Sequence, residues 1–470
     1  NTNNLSNQYV LSDGRIVAVT NEWDGKYENC TSELITISKV PSSSLPQKTY
    51  ITLGTQGLNW DTQELIVKFN RNSDQYRIQV NDYSEYNTDD DYSAGLTKLT
   101  TEIMAGNVPD ILDLSGFSVS QLAGKGLIAD LDSFFDADPD LNKSDFIPNV
   151  LAAFEVDGKL YSTVSNFNIQ GVAGASSIVG DTPGWTYQQL QDALAQMPEG
   201  CDIFSYSTTS TDVLSSCLAL DMGTLVDWTT GQCNFESQSF IDMLKFASQF
   251  QNDFNWDNYE YTDSDDDYTR IAQGRQMLLN TYVSDFTDLP MYDAIFGGSV
   301  TYIGYPTASG TGNMLNFTNS GYAISARCEN KDAAWQFIRT FFTEDFQKEQ
   351  YGFPSNINAY NAKLKEAMTP EYMKDENGNY VLDENGNKIE VSRGGLGWGD
   401  TMIELYATTQ EQADKLWELI TTTTKVADYS SSIYNIVNEQ TPAFFSGQKS
   451  AEEVARLIQN KANIYVNEQR

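Results

Sequence analysis

Apolar and polar positions alternate through the first stretch of the chain, which predicts short strands over Gln8–Leu11, Arg15–Thr20 and Glu33–Val40. Asp13-Gly14 supplies the turn between the first two, and Ile35, Ile37 and Val40 mark the apolar side of the third. Three strands in residues 1–47 are too few for a core of their own. They read as the end of a larger β module such as a propeller. Pro41 to Pro46 (PSSSLP) breaks the pattern as a linker. From Lys48 the pattern changes: strand Thr49–Leu53, loop 54–57, helix Asn59–Asn70 with Leu65, Ile66 and Phe69 on one face, then strand Gln75–Val80. A helix Ser93–Ala105, closed by Gly106-Asn107 and Pro109, and a strand Ile111–Leu114 follow. Alternating strands and helices with short links predict an α/β fold with parallel pairing and right-handed crossovers. Ligands of such sheets bind beyond the strand C-termini.

Composition narrows the chemistry. The chain has 470 residues, no histidine, and 65 Asp and Glu against 29 Lys and Arg, a net charge of −36. Such a surface repels nucleic acid and anionic membranes. Without imidazole, His-based triads, His-ligated metals and His general bases are excluded. Binding is accordingly expected to be flat between about pH 6 and 8, where ordinary carboxylates are already ionised. The 8 Trp, 23 Phe and 26 Tyr suit ring stacking on neutral polar ligands. Length predicts two to four domains. No stretch reaches the ~18–20 apolar residues of a membrane span. A start at Asn1, with no signal-peptide pattern, reads as a processed or trimmed product. Five cysteines leave at least one unpaired within the chain, and Cys201, Cys217 and Cys233 leave one disulfide open; their spacing matches no zinc site.

Several segments resemble the extracellular solute-binding proteins of ABC importers, of the maltose-binding type. Leu96 to Ile111 (LTKLTTEIMAGNVPDI) and Gln121 to Leu131 (QLAGKGLIADL) are similar to consecutive family segments. Asp157 to Tyr161 (DGKLY) fits the strand-turn before the hinge, and Gly184 to Leu190 (GWTYQQL) resembles a second-lobe helix start, with Gly184 where the family carries Pro. Asp332 to Ile338 (DAAWQFI), then Gln347 and Phe353-Pro354, and the closing run Phe445 to Val454 (FSGQKSAEEV) keep the family order. The segment 372–400 is longer than the simplest members carry. The resemblance implies a two-lobed periplasmic-binding-protein-like α/β fold of the class II type. Lobe 1 would hold 48–166 with 306–350, and lobe 2 would hold 167–305 with 351–470. Chain crossings are expected as loops near Ser165–Asn168, Gly304–Gly312 and Tyr351–Pro354. It implies a monomeric, non-enzymatic receptor without cofactor, lipid-anchored outside a Gram-positive cell, that hands its ligand to ABC permease subunits.

Candidate ligand contacts follow from position and side-chain chemistry. Trp60, just beyond the first strand, is either a sugar platform or a core residue of its helix. Tyr83 and Glu85 follow the second strand, where a carboxylate can take two hydroxyls or simply face solvent. Asp113 and Ser115 end the third strand, beside Gly116. Asn166 and Asn168 offer donor and acceptor together, or turn-forming amides. Tyr282 ends an apolar strand predicted at Gln276–Leu279, and Trp398 stands among glycines in Gly394 to Gly399, a second platform held by a loop. The repeats Asp375 to Asn379 and Asp383 to Asn387 (both DENGN) supply calcium-type ligands but lack the closing Glu, and read as two β-turns. Residues 263–267 read as a solvated acidic loop.

Together these predict capture of a neutral carbohydrate, an oligosaccharide, by closure of two lobes. The rivals are a polyamine in the same fold, held by carboxylates and cation–π contacts; a surface glycan sensor or adhesin, which the N-terminal strands keep open; and a glycosidase or lyase, for which no acid pair is fixed by the sequence.

Overall fold

The turn Asp13-Gly14 closes as its residue types require. Gly14 takes φ 84°, and the Asp13 carboxylate accepts from the Arg15 backbone N–H at 3.1 Å and from its Nε at 2.8 Å. The strands Leu5–Val10, Ile16–Trp23 and Cys30–Ile37 therefore form an antiparallel meander with the second strand in the centre. Ala18 is fully buried, whereas Tyr9, Val10 and Leu34 are largely exposed. The computed structural model describes residues 5–23, 30–41, 47–262, 265–307, 310, 312–317, 321–398 and 401–468. Positions 42–46 of the expected linker and 263–264 of the expected acidic loop lie outside them. The chain divides into two units, Asn1–Asp110 and Ile111–Arg470.

In the first unit, strand Thr49–Thr55, helix Trp60–Asn72 and strand Tyr76–Asp82 make a βαβ unit whose strands pair in parallel, Thr49 opposite Tyr76 through Thr55 opposite Asp82. Asn59 caps the helix by accepting from the Thr62 N–H at 2.8 Å. Asn70 ties the helix to the returning strand, exchanging hydrogen bonds with both backbone groups of Ile78 at 3.0 and 2.6 Å. Ile51, Leu53, Ile66, Ile78, Leu99 and Ile103 are buried between these elements and helix Ala94–Met104. A Cβ on Gly54 would stand 2.7 Å from the Pro109 ring, so only glycine fits there.

Within the second unit the paired strands among the described residues run antiparallel. Strand Ile111–Asp113 pairs antiparallel with Tyr322–Ile324. The long strand Asn166–Ala175 carries four partners, all antiparallel: Leu278–Val283, Val300–Thr301, Met314–Phe317 and Phe353–Pro354. Ile169 and Gly174 are each paired on both sides, which puts Met314–Phe317 and Val300–Thr301 along one edge and Leu278–Val283 along the other. Two of the expected crossing loops are thus strand. Asn166 opposes Pro354, and Phe167 opposes Phe353. Asn166 does not form a turn because its amide finds other partners, donating to the carbonyls of Gln347 at 3.1 Å and Gly352 at 3.2 Å. In the third crossing, Gly304 bonds Val172 and Tyr305 bonds Gly312 through the backbone, while residues 308, 309 and 311 lie outside the described set.

Helix Ser210–Leu225 is buried at ten of its sixteen residues and sits within the main core. It packs there with helices Gln238–Ala247 and Ala451–Glu468 through Leu214, Leu218, Phe240, Leu244 and Ile458. A second, aromatic core joins Phe135, Phe146, Trp335 and Phe342 at centroid distances of 4.9–6.0 Å. Residues 371–390 fold back on themselves. Asp375 and Asp383 each accept two backbone N–H groups within their turns, and Gly378 and Gly386 both take φ 83°. The two DENGN repeats are turns. No disulfide joins cysteines among the described residues, and Cys217 is fully buried, which pushes its thiol well up.

Candidate functional site

Strand Leu278–Val283 alternates along its outer half, with Thr281 and Val283 buried and Asn280 and Tyr282 turned outward. Opposed residues of antiparallel strands share a face. Tyr282 opposes Gln170, Asn280 opposes Val172, and Asn168 opposes Asn316. One face of the sheet therefore carries Asn168, Gln170, Asn280, Tyr282 and Asn316, a polar strip interrupted by the buried Val172 and Met314.

Three amides on this strip are joined to tyrosines. Asn168 Nδ2 donates to the Tyr282 hydroxyl at 2.8 Å. The Tyr429 hydroxyl donates to Gln170 Oε1 at 3.0 Å, and the Tyr305 hydroxyl to Asn280 Oδ1 at 2.9 Å. At the strand's end the hydroxyls of Ser284 and Tyr351 lie 2.5 Å apart. Tyr282, Tyr351 and Tyr429 are 41%, 63% and 47% exposed. These rings are fixed by hydrogen bonds and still face outward. Asn168 is wholly buried, and its Oδ1 has no partner among the described residues. Burial pushes the Tyr305 phenol up to about 12, so it is a neutral donor at physiological pH.

The strip continues into a cleft of about 660 Å³. Asn280 and Tyr305 belong to both. The cleft adds Phe254 and Trp256, the carboxylates of Asp212, Asp253 and Asp267, and the hydroxyl residues Ser205, Ser207, Thr208 and Thr209. Asp212 is held by Thr209, accepting from its N–H at 2.9 Å and hydroxyl at 2.7 Å in a capping box. Burial raises the Asp267 carboxyl, an effect opposed by a hydrogen bond from Ser205.

Of the residues singled out from sequence, Asn168 and Tyr282 are brought together on the strip. Tyr282 stands near the end of its strand, which runs from Leu278 to Val283 rather than over Gln276–Leu279. Asn166 faces backbone carbonyls. Asp113 is buried and accepts from the Ser115 N–H at 2.9 Å and hydroxyl at 2.7 Å, an Asx turn between two candidates. Trp398 is not on a loop: Gly394–Trp398 pairs with Thr401–Leu405, because the small residues leave the backbone free to form a hairpin ladder. Position 399 lies outside the described residues. The Trp398 ring meets Tyr268 edge-on at 5.7 Å, on the helix that supplies Asp267 to the cleft. In the first unit, Trp60 is 54% exposed and so is not a core residue, and Glu85 is exposed. Tyr83 is buried, its hydroxyl donating to Glu102 at 2.5 Å.

Sequence reasoning missed Gln170, Asn280, Tyr305, Tyr429 and the cleft aromatics. The period-two alternation that marks Tyr282 also marks Asn280. Tyr305 and Tyr429 lie in aperiodic segments and give no such signal.

Beside the strip, Asp288 opens helix Asp288–Ile295 and accepts from the N–H groups of Ser284 at 2.7 Å and Asp285 at 2.8 Å. Burial outweighs these bonds and pushes its carboxyl up to about 6. A raised acid stabilises the fold below its unfolded value, and that contribution is lost as pH rises through 6. Wild-type stability is therefore expected to fall between about pH 4 and 7, on the order of 2 kcal/mol from this group. Asp288→Asn, followed by thermal melts across that range, should remove this part of the slope. An unchanged slope would assign it to the net charge instead.

With this geometry in place, comparison with known proteins is decisive at the level of family. The profile of the bacterial extracellular solute-binding proteins matches residues 64–377. The chain belongs to that family. No curated protein matches it. Among solved structures, the sugar-binding protein MalE of the phytopathogen Xanthomonas citri is 13% identical, covering 90% of this chain and 98% of its own, with a TM-score of 0.53. A cyclic alpha-maltosyl-1,6-maltose binding protein from Arthrobacter globiformis is 14% identical, covering 90% and 100%, with a TM-score of 0.50. These likenesses establish the fold, the two-lobed α/β architecture of periplasmic sugar-binding proteins. No helix among the described residues is long and apolar enough to cross a membrane.

Proposed function

We propose that this solute-binding protein captures a neutral oligosaccharide and delivers it to the permease subunits of an ABC importer, binding without catalysis. The observation that carries the reading is the strip of outward-facing tyrosines oriented by amides. Sugar hydroxyls both donate and accept, and their C–H faces stack on rings, so oriented phenols beside amides meet both needs. The two solved structures compared with the chain are sugar-binding proteins by name, which supports the same class. Lobe 1 is proposed as 48–166 with 306–350 and lobe 2 as 167–305 with 351–470, closing on the ligand through contacts made only in the closed state. Trp60, Glu85, Asp113 and Ser115 are proposed contacts of lobe 1; Tyr83, with its hydroxyl committed to Glu102, would contribute its ring. Asn166, Asn168, Tyr282 and Trp398 complete the proposed set. The protein is proposed to act as a monomer, anchored by lipid at the surface of a Gram-positive cell.

One observation favours a second reading. Three carboxylates line the cleft beside Trp256 and Phe254, a set that also suits a cationic solute such as a polyamine. A thermal-shift screen of neutral oligosaccharides, polyamines and amino acids separates the two. A sugar present at 100 times its dissociation constant should add ~2.7 kcal/mol to stability. Shifts with polyamines alone would overturn the carbohydrate reading.

A further inference from the structure

We propose that the cleft is a subsite for a distal ring of the ligand, stacked on Trp256, so that the protein favours oligosaccharides over monosaccharides. The inference rests on the receptor reading above and adds a chain-length determinant to it. The cleft has room for that ring: the twelve non-hydrogen atoms of a hexose take no more than ~360 Å³ even at the ~30 Å³ share of a liquid water molecule, against about 660 Å³ here. The strip outside the cleft, with Gln170, Tyr282 and Tyr429, is where the first ring would sit.

The cleft also has a direction. Its inner end is built by Tyr305, 7% exposed and bonded to Asn280, and its outer end by Trp256, 63% exposed. A chain running from the strip past Asn280 reaches Trp256 last. Nothing in the packing of the core calls for a tryptophan there, yet its position is fixed. Trp256 starts a single 3-10 turn, Trp256–Asn258, capped by the Asn255 side chain, which accepts from the Asp257 N–H at 3.0 Å. Phe254 braces its ring edge-on at 4.7 Å. Phe254 is itself held by Tyr206 at 5.4 Å and Tyr259 at 5.1 Å, which stack on each other at 4.9 Å. The Arg270 guanidinium covers Tyr206 at 5.3 Å. A large apolar ring presented to solvent on a rigid aromatic scaffold is preorganised for stacking, which lowers the ordering cost of binding. Between the two ends, Asp212 and the hydroxyls of Ser205 and Thr208 supply acceptors and donors for ring hydroxyls.

The test is calorimetric titration of the full chain with glucose and with linear α-1,4-, α-1,6- and β-1,4-linked gluco-oligosaccharides from di- to hexasaccharide, on wild type, Trp256→Ala and Trp256→Phe. Melts confirm that each variant is folded. In the linkage series that binds, wild-type affinity should climb with chain length and then level. Trp256→Ala should bind the longer chains about 10- to 100-fold more weakly, while its affinity for the monosaccharide changes less than about twofold, and Trp256→Phe should recover part of the loss. Equal weakening for all lengths would place Trp256 in the primary site and overturn the inference, as would affinity that does not grow with length. If Trp256→Ala binds every chain as wild type does, the stacking role is wrong although the receptor reading stands. If wild type binds no sugar and melts shift only with polyamines, both fail.

Discussion

Replacing Asp138 by alanine is expected to cost about 3–5 kcal/mol of stability, a large loss for one side chain. That side chain is 3% exposed and accepts four hydrogen bonds, from Trp335 Nε1 at 2.9 Å, from Arg339 Nε and Nη2 at 2.7 and 2.8 Å and from the Asp140 backbone N–H at 3.0 Å. The Arg339 guanidinium is the main cause that holds this carboxyl down to about 2, with burial acting against it. Alanine leaves an arginine and an indole N–H without their acceptor beside the aromatic core of Phe135, Trp335 and Phe342. Removing one partner of a buried ion pair is costly because the other charge stays desolvated. Arg339 keeps a contact to Asp140 at 3.1 Å, which places the expectation toward the lower end of that range. Urea titration should show a lower midpoint at an unchanged slope. The pH sign follows from the depressed value: the contribution is present above the ordinary carboxyl range and lost as pH falls toward 2. Asp138→Ala should therefore flatten the acid limb of the stability curve. A loss below about 1 kcal/mol would mean that solvent replaces the carboxylate in this triad.

What is legible in the sequence is local. The βαβ unit of residues 49–82 can be read because its signals are short-range: Asn59 at a helix start, period-two strands on either side, and Ile66 on the inward face. The turn at Asp157-Gly158 is equally local, with φ values of 52° and 72°, as is the capping box of Thr186 and Gln189 that starts helix Tyr187–Leu194. Pairing between strands distant in sequence is not legible. Strand Asn166–Ala175 receives its partners from more than a hundred residues downstream, and no periodicity records which strand lies beside which. Asn166 and Asn168 show the limit most plainly. An asparagine beside serine and phenylalanine reads as a hinge contact or a turn, yet both sit in a strand, because Gln347, Gly352 and Tyr282, all distant in sequence, take up their amides.

The site follows the same division. Tyr282 can be found from sequence because it stands at the end of an apolar strand, whereas Tyr305 and Tyr429 reach the same face from irregular segments and are placed only by tertiary hydrogen bonds. Glycine around Trp398 reads as the mark of a loop, but glycine in a strand also allows close pairing, and the hairpin has Met402 within 3.2 Å of where a Cβ on Gly397 would stand. Trp256 carries no motif at all. Its significance comes from exposure combined with bracing, and neither is a property of sequence order.

The largest expected effect on binding belongs to Tyr282. Tyr282→Ala should weaken affinity for the sugar found by thermal screening by ~2–4 kcal/mol, the scale of an aromatic anchor. The ring is 41% exposed, opposes Gln170 in the centre of the polar strip, and is held by Asn168 through its hydroxyl and by Tyr292 through its backbone N–H at 3.1 Å. An exposed ring contributes little to the core, and its removal opens a path for water to the Asn168 amide, so the melt should move by no more than about 1 kcal/mol of stability. Tyr282→Phe separates the two roles of the side chain. It keeps the stacking face and still covers the buried Asn168 amide, but takes away the acceptor, in addition to an Oδ1 that already lacks a partner among the described residues. That variant should therefore lose stability, about 1–3 kcal/mol, while keeping more affinity than the alanine change. The two substitutions thus predict opposite rankings: alanine worse for binding, phenylalanine worse for the fold. Calorimetric titration beside urea unfolding reads both quantities from the same preparations. If alanine leaves affinity intact in a folded protein, Tyr282 is a strut for Asn168 rather than a ligand contact, and stacking must be sought at Tyr429 or Tyr351.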